Sequence, residues 1–286
     1  MIDDFQRVQV LSEALSIING LSNRIIVVKY GGAAMRDNLL KTHVVDDILL
    51  LSSLGVQIVL VHGGGPAINS WLKKINIKPK FHNGIRITDQ PTMEIVEMVL
   101  VGKVNKDLVA LFNRHTNSAI GLSGKDSNLI VASPLFASSA HEDFVGKIER
   151  VNIKILQLLL SQKYIPVIAS VATGHDGRTY NVNADTVASS IAVALKAEKL
   201  VLMTDTPGIM YDIQDQSTLL KHLSLVEAQK LKSDNVISGG MIPKVDCSIS
   251  ALQSHVRSAH IIDGRVEHAL LLEVLTKNRI GSMLTL

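Results

Sequence analysis

Two short, apolar, β-branched runs set the pattern of this chain: Ile25-Ile26-Val27-Val28 and Val56-Gln57-Ile58-Val59-Leu60-Val61. A glycine cluster follows each, Gly31-Gly32 after the first and Gly63-Gly64-Gly65 after the second. Between them, Leu39 to Leu54 repeats apolar residues at helical spacing, with Val44, Val45, Ile48 and Leu51 on or near one face. Strand, glycine turn, helix and strand make a βαβ unit, and such crossovers belong to parallel sheets.

The alternation continues to the end of the chain. Pro91 to Phe112 reads as one long helix, with Pro91 in its first turn and Thr88 or Asp89 as its cap. Short strands are expected at Ala119–Leu122, Leu129–Val131, Ile165–Ala169, Leu200–Met203 and Ala259–Ile262, and Pro166 suits the start of its strand. The Ser/Ala-rich stretch 133–148 reads as a β-hairpin or loop. Helices are expected at Val151–Leu160, Ala184–Leu195, Pro243–His255 and Glu267–Leu275, with an amphipathic helix at Phe5–Ile18 ahead of the first strand. About eight strands alternating with helices, without repeats or a low-complexity linker, predict an α/β fold: an open, mostly parallel sheet sandwiched between helices. The best internal boundary falls near Lys196, where a helix ends and a second α/β run begins.

Composition narrows the function classes. With 286 residues, 47% hydrophobic and 19% charged, the chain can bury a sizeable core in one large domain or two smaller ones. A net charge of +3 and the lack of a dense Lys/Arg cluster argue against a nucleic-acid partner. The single cysteine, Cys247, excludes an internal disulfide framework and a multi-cysteine zinc site, so a reducing compartment is expected. The acidic start, Met1 to Phe5, suits neither a secretory signal nor a transit peptide. The longest stretch free of Asp, Glu, Lys and Arg, Ile48 to Leu72, holds Ser, His, Gly, Pro and Asn residues that suit helix end, strand and loop rather than a membrane span.

Candidate chemistry gathers at the glycine turns. Backbone N–H groups at a strand-to-helix turn favour anions, and glycine lets a phosphate approach the main chain. Two successive turns of this kind, with Gly239-Gly240 later, point beyond ordinary tight turns. Neither carries a standard nucleotide fingerprint: Gly124-Lys125 is followed by Asp126, Ala119 stands where a P-loop needs its first glycine, and no G-x-G-x-x-G follows either strand. Lys29 ends the first strand and Lys244 opens a late helix, where each could offset charge on a transferring phosphoryl group. Asp185 reads either as a helix N-cap or as a carboxylate orienting both lysines. Arg86 could clamp a substrate carboxylate in bidentate fashion. The ten histidines show no metal-ligand spacing, so no protein-held metal is expected, and His62 reads as a structural hydrogen-bonding residue.

Six ordered segments carry a resemblance: Lys29-Tyr30-Gly31-Gly32, His62-Gly63-Gly64-Gly65-Pro66, Asn83-Gly84-Ile85-Arg86, Asn181-Val182-Asn183-Ala184-Asp185, Thr204-Asp205-Thr206-Pro207-Gly208 and Gly240-Met241-Ile242-Pro243-Lys244. In this order they resemble the amino-acid kinase family, and the third segment most resembles its members that phosphorylate N-acetyl-L-glutamate. The likeness runs from about Arg24 to Leu284.

The resemblance implies ATP-dependent phosphorylation of a γ-carboxylate in arginine biosynthesis, with Mg²⁺ carried on the ATP. It implies catalytic roles for Lys29, Lys244 and Asp185, and substrate contacts from Gly64, Gly65, Arg86 and Asn181. Thr204, Asp205, Gly208, Gly239 and Gly240 would serve the nucleotide. The implied organisation is an oligomerisation helix over 1–21, an acetylglutamate lobe over 22–196 and an ATP lobe over 197–286.

Arginine-inhibited members of the family form homohexamers through such an N-terminal helix. By the same likeness Lys199 and Glu273 would contact arginine as a feedback inhibitor. Ile17 and Arg279 depart from the Tyr and Gly expected there. The PII signalling protein is a further partner implied by relatives in photosynthetic lineages, and the location is a bacterial cytoplasm or, if plastid-encoded, the stroma. Other readings stay open: a glutamate or aspartate kinase of the same family, a non-catalytic arginine- or PII-binding module, and an NAD-linked oxidoreductase that lacks its fingerprint.

Overall fold

In the computed structural model, which describes residues 3–35, 37–82, 85–114, 116–136 and 143–286, helix α1 (Asp4–Leu21) opens the chain. A reciprocal cap starts it: Asp3 accepts from the Gln6 N–H at 2.7 Å and Gln6 Oε1 from the Asp3 N–H at 3.2 Å. Strand β1 (Ile25–Tyr30), helix α2 (Asn38–Ser53) and strand β2 (Gln57–His62) form the expected crossover, β1 and β2 being parallel. A 3₁₀ turn, Gly32–Met35, starts at the second glycine of the first pair and leads to α2, where Asp37 caps by accepting from the N–H groups of Leu39 and Leu40. Helix α2 buries Val44, Val45, Ile48 and Leu51, as their spacing requires.

Helix α3 (Gly65–Lys74) starts at the second glycine cluster with Pro66 in its first turn. The charge-free stretch 48–72 therefore divides between α2, β2 and α3, and no helix among the described residues is long and apolar enough to cross a membrane. Strands β3 (Phe81–His82) and β4 (Ile85–Arg86) pair antiparallel, while Asn83 and Gly84 of the third motif lie outside the described residues.

The expected helix 91–112 is interrupted. It consists of α4 (Gln90–Glu97), a π-helical segment over Met98–Val104 and α5 (Asn105–Asn113). Asp89 is the cap, accepting from the Thr92 N–H at 3.0 Å, and Thr88 is not. Strand β5 (Ala119–Ser123) follows, and β6 (Ile130–Pro134) with β7 (Gly146–Val151) forms the antiparallel hairpin expected between 133 and 148, of which 137–142 lie outside the described residues. Val151 ends β7, paired with Ile130, so helix α6 (Lys154–Ser161) begins later than the periodicity suggested.

The remaining elements are β8 (Ile165–Ala169), β9 (Val171–Thr173), β10 (Thr179–Asn181), α7 (Ala184–Ala194), β11 (Lys199–Thr204), β12 (His222–Ser224), α8 (Leu225–Ser233), α9 (Met241–Gln253), β13 (Ser258–Asp263), α10 (Ala269–Leu275) and β14 (Ser282–Thr285). Helix α10 begins at Ala269 rather than Glu267, with His268 in a left-handed conformation ahead of it. Pro166 sits in β8 before its ladder to β2 begins at Val167, so no hydrogen bond to that neighbour is lost.

The main sheet runs β12-β14-β13-β11-β1-β2-β8-β5. Its pairs are parallel except β13 with β14. Two smaller sheets, β10-β9-β6-β7 and β3-β4, flank it. Alternate residues of the central strands enter two separate cores. Ile26, Val28, Ile58, Leu60 and Val201 pack in one with residues of α2, α5 and α10, while Val27, Val59, Val61, Leu200 and Leu202 pack in the other with residues of α6, α7 and α9. Helices on both faces explain why the strands read as unbroken apolar runs.

Candidate active site

The carboxyl ends of the parallel strands define one edge of the main sheet, the usual place for ligands in such folds. Lys29 stands near the end of β1, and Asp185 lies in the first turn of α7. Asp185 is not the helix cap; Asn183 is, its Oδ1 accepting from the N–H groups of Asp185 at 2.8 Å and Thr186 at 3.3 Å. Relieved of capping, the Asp185 carboxylate takes two ammonium groups: Lys29 Nζ lies 3.0 Å from Oδ1 and Lys244 Nζ, from α9, 2.7 Å from Oδ2. All three side chains are largely buried.

Burial alone would push the Asp185 carboxyl up, but the two ammonium groups together hold it below the ordinary aspartate range. Lys29 is drawn below the ordinary lysine value, chiefly by burial and against the pull of Asp185. Gly31 makes room for this arrangement, since a Cβ there would fall 3.0 Å from Lys29 Nζ. Cys247 contributes no nucleophile, because burial pushes its thiol up to about 11.

The second glycine cluster lies beside this centre: a Cβ on Gly63 would touch that of Ala184 at 3.6 Å. Gly64 occupies the cap position of α3 and Gly65 begins the helix. A Cβ on Gly64 would fall 2.4 Å from Leu100 Cδ2, so the π-helical segment leaves room only for glycine. Behind the loop His62 is buried between Gly63 and Asn105: Nδ1–H donates to the Gly63 carbonyl at 2.9 Å and Nε2 accepts from Asn105 Nδ2 at 3.0 Å. Burial pushes His62 down to about 4, so it is a neutral, structural imidazole near neutral pH. Asn105 was not signalled by any motif, and beside Lys103, Lys106 and Asp107 it does not stand out in the sequence.

Arg86 on β4 is buried, its Nη2 donating to Asn69 Oδ1 at 2.6 Å and its guanidinium lying 4.7 Å from the Phe81 ring centroid. Its Nη1 is buried without a hydrogen-bond partner, the condition in which an anionic oxygen would be welcome. Asn181 on β10 donates from Nδ2 to Thr88 Oγ1 at 3.1 Å.

Thr204 ends β11, with its hydroxyl 3.3 Å from Asp205 Oδ1. Asp205 also contributes to the field at Lys29, opposing the effect of burial. Gly208 lines a cavity of about 250 Å³ with Thr206, Tyr211, Val236, Ser238 and Met241. Gly208 needs φ +154°, and a Cβ there would meet Ser282 Oγ at 2.5 Å. Gly239 takes φ +55°, and Gly240 precedes the helix that carries Lys244. Gly208, through the cavity it shares with Met241, and Gly239 and Gly240 therefore border the start of the helix that carries Lys244. Thr206, which also lines that cavity, has its Oγ1 buried without a hydrogen-bond partner. Among the described residues no group of three His, Cys, Asp or Glu could hold a metal ion.

Lys199 and Glu273 lie elsewhere. Lys199 begins β11, at the end opposite Thr204. His260 bridges Lys199 and Glu273: its Nε2 lies 3.4 Å from Lys199 Nζ and its Nδ1–H donates to Glu273 Oε1 at 2.7 Å. Glu273 Oε2 accepts from the N–H groups of Ile280 and Gly281. Burial, aided by Arg279, lowers the Lys199 pKa.

With the geometry in place, comparison with known proteins is informative. A model of the amino acid kinase family matches residues 24–263. The acetylglutamate kinase of Gracilaria tenuistipitata var. liui is 60% identical over 286 residues, all of both chains. That of Porphyra purpurea is 55% identical over 99% of each chain. Among solved structures, N-acetylglutamate synthase from Neisseria gonorrhoeae, complexed with coenzyme A and N-acetyl-glutamate, is similar at TM-score 0.86 and 25% identity over 99% of this chain. This chain spans 64% of that synthase chain. Carbamate kinase from Giardia lamblia, at TM-score 0.67 and 15% identity over 92% of this chain and 99% of its own, shares the fold. This chain belongs to the amino-acid kinase family.

Proposed function

We propose that this chain uses ATP to phosphorylate the γ-carboxylate of N-acetyl-L-glutamate, yielding N-acetyl-L-glutamyl 5-phosphate in arginine biosynthesis. The observation that carries this reading is the pairing of Lys29 and Lys244 on Asp185 beside the glycine turn. A γ-carboxylate is ionised at neutral pH, its reference pKa being about 4.3, so no general base is needed. The obstacle is repulsion between that carboxylate and the phosphates. Two ammonium groups sharing one acid leave a net positive centre, which offsets charge on the transferring phosphoryl.

In this reading Asp185 positions the lysines, and the N–H groups of Gly64 and Gly65 serve the reacting anions. Arg86 takes the α-carboxylate, supported by its unpartnered Nη1, and Asn181 helps fix the acylated substrate. Thr204, Asp205, Gly208, Gly239 and Gly240 serve the nucleotide, supported by the cavity at Gly208. Mg²⁺ would travel on the phosphate oxygens. Residues 22–196 then form the acetylglutamate lobe and 197–286 the ATP lobe.

Helix α1 assembles the chain into a homohexamer in this reading. Its exposed Phe5, Val8, Leu11 and Leu15 support that role. The Lys199–His260–Glu273 cluster is the matching place for arginine as feedback inhibitor.

A coupled ADP-release assay with N-acetylglutamate, glutamate and aspartate side by side tests the proposal. Turnover is expected with the acetylated substrate alone; equal turnover with free glutamate would reject the substrate assignment.

A further inference from the structure

We infer that Thr88 is the positioning residue that ties Arg86 and Asn181 into one substrate-recognition unit. This rests on the reading of those two residues as contacts to the acylated amino acid. Arg86 and Asn181 belong to different sheets, β3-β4 and β10-β9-β6-β7. Neither sheet can fix the position of a residue in the other by its own ladder. Thr88 connects them through a single hydroxyl: Oγ1–H donates to the Arg86 carbonyl at 3.0 Å, and Oγ1 accepts from Asn181 Nδ2 at 3.1 Å.

The hub itself is held on every side. Thr88 is fully buried, its N–H faces Asp143 Oδ1 at 3.3 Å, and its carbonyl accepts from the Phe144 N–H at 2.7 Å. Asp143 Oδ1 also accepts from the Val145 N–H at 3.1 Å, which anchors the start of the β7 segment to the same point. The Asn181 N–H completes the ring by donating to the Phe144 carbonyl at 2.8 Å.

Chemistry restricts what can replace this residue. The site needs one donor for a carbonyl and one acceptor for an amide N–H on the same atom, which a hydroxyl supplies and a hydrocarbon does not. With its nitrogen committed to Thr88, the Asn181 amide is held in one of its two flip states. The hydroxyl thus sets both the position of the Arg86 strand and the orientation of the Asn181 side chain. Thr88 touches no reacting group in this arrangement; it acts through the two residues it holds.

Steady-state kinetics of Thr88→Val, Thr88→Cys and Thr88→Ser against wild type test the inference. Thr88→Val keeps the shape and loses the hydroxyl, so KM for N-acetylglutamate is expected to rise about tenfold or more. KM for ATP should stay within about twofold, and Thr88→Ser, which keeps the hydroxyl, should restore KM for the acylated substrate. Thr88→Cys, a weaker hydrogen-bonding group, should fall between Ser and Val and carries the test where the valine variant does not fold.

An unchanged KM for N-acetylglutamate in Thr88→Val would overturn the inference. So would equal losses toward both substrates, or a serine variant as impaired as the valine one, since either marks a merely structural role. Wild-type protein that phosphorylates no N-acylglutamate would overturn the functional reading and the inference with it. Wild-type turnover combined with an indifferent Thr88→Val would remove only the inference.

Discussion

Lys29 and Lys244 approach one carboxylate from distant parts of the chain, 3.0 Å from Asp185 Oδ1 and 2.7 Å from Oδ2 respectively. One lysine comes from the first strand and the other from a late helix, so the pair exists only when the whole sheet is assembled. The acid between them offsets one of the two positive charges.

Removing that acid should unbalance the site. In Asp185→Asn two buried ammonium groups lose their shared partner, and a stability loss of about 3–5 kcal/mol is expected in urea unfolding. The pH dependence should change with it. The folded-state carboxyl lies below its unfolded value, so its stabilisation is present above the ordinary aspartate pKa and lost as pH falls through the lowered one. Wild type should lose this contribution on acidification and Asp185→Asn should not; parallel acid-unfolding curves would refute the assignment.

Lys29 should set the alkaline limit of activity. Burial lowers its pKa, so it sheds its proton, and with it the positive charge, at a pH below that of an ordinary lysine. The expected result is a kcat/KM that declines on the alkaline side at a lower pH than an ordinary lysine would give. Lys29→Arg stays charged throughout that range and should lack the decline, whatever its absolute rate. The same alkaline limb in both proteins would exclude Lys29 as its source.

Gly64 should be intolerant of any side chain for a steric reason. Its φ of 178° is outside the left-handed region that favours glycine, and the constraint is the Cβ, which would collide with Leu100. Gly64→Ala is expected to cost about 1–3 kcal/mol through overpacking. Adding Leu100→Ala should recover part of that loss in a double-mutant cycle, although Leu100→Ala alone destabilises. Purely additive effects would show that the π-helical segment does not shape the glycine turn.

His268 and Asp47 should make stability fall on the alkaline side of neutrality. His268 Nδ1 pairs with Asp47 Oδ1 at 2.6 Å, linking α2 to the start of α10, and this hydrogen bond raises the His268 pKa. A raised histidine stabilises the fold fully below its unfolded value of about 6.5, and that contribution is lost as pH rises through the folded value. Thermal midpoints at pH 6 and 8 should therefore differ more in wild type than in His268→Asn. An identical pH response in the two would remove the contact from the account.

The extent to which this molecule was legible in its sequence follows from length and polarity. The strands β1, β2, β8 and β11 were readable because both their faces are buried and their apolar runs unbroken. Strands of three or four residues, such as β9, β10, β12 and β14, were not, because their stability comes from neighbours distant in sequence. The π-helical turn after Glu97 left the helical pattern almost intact and hid the interruption.

At the site, Lys29 and Lys244 stood out only modestly by position, and Asp185 was readable either as a helix cap or as the acid orienting both lysines until resemblance to a family favoured the second. Asp185 itself was ambiguous because Asn183 and Asp185 are both good caps, and the geometry chose Asn183. Thr88, Asn69 and Asn105 act through hydrogen bonds spanning long stretches of chain, for which local pattern carries no signal.

The claim that a positive centre built from two lysines and one acid drives phosphoryl transfer is tested most directly in Lys244→Ala, at saturating ATP and N-acetylglutamate. Loss of a group that stabilises transition-state charge is expected to lower kcat by about 10²–10³-fold, with KM for N-acetylglutamate changed far less. A kcat near the wild-type value would contradict the account.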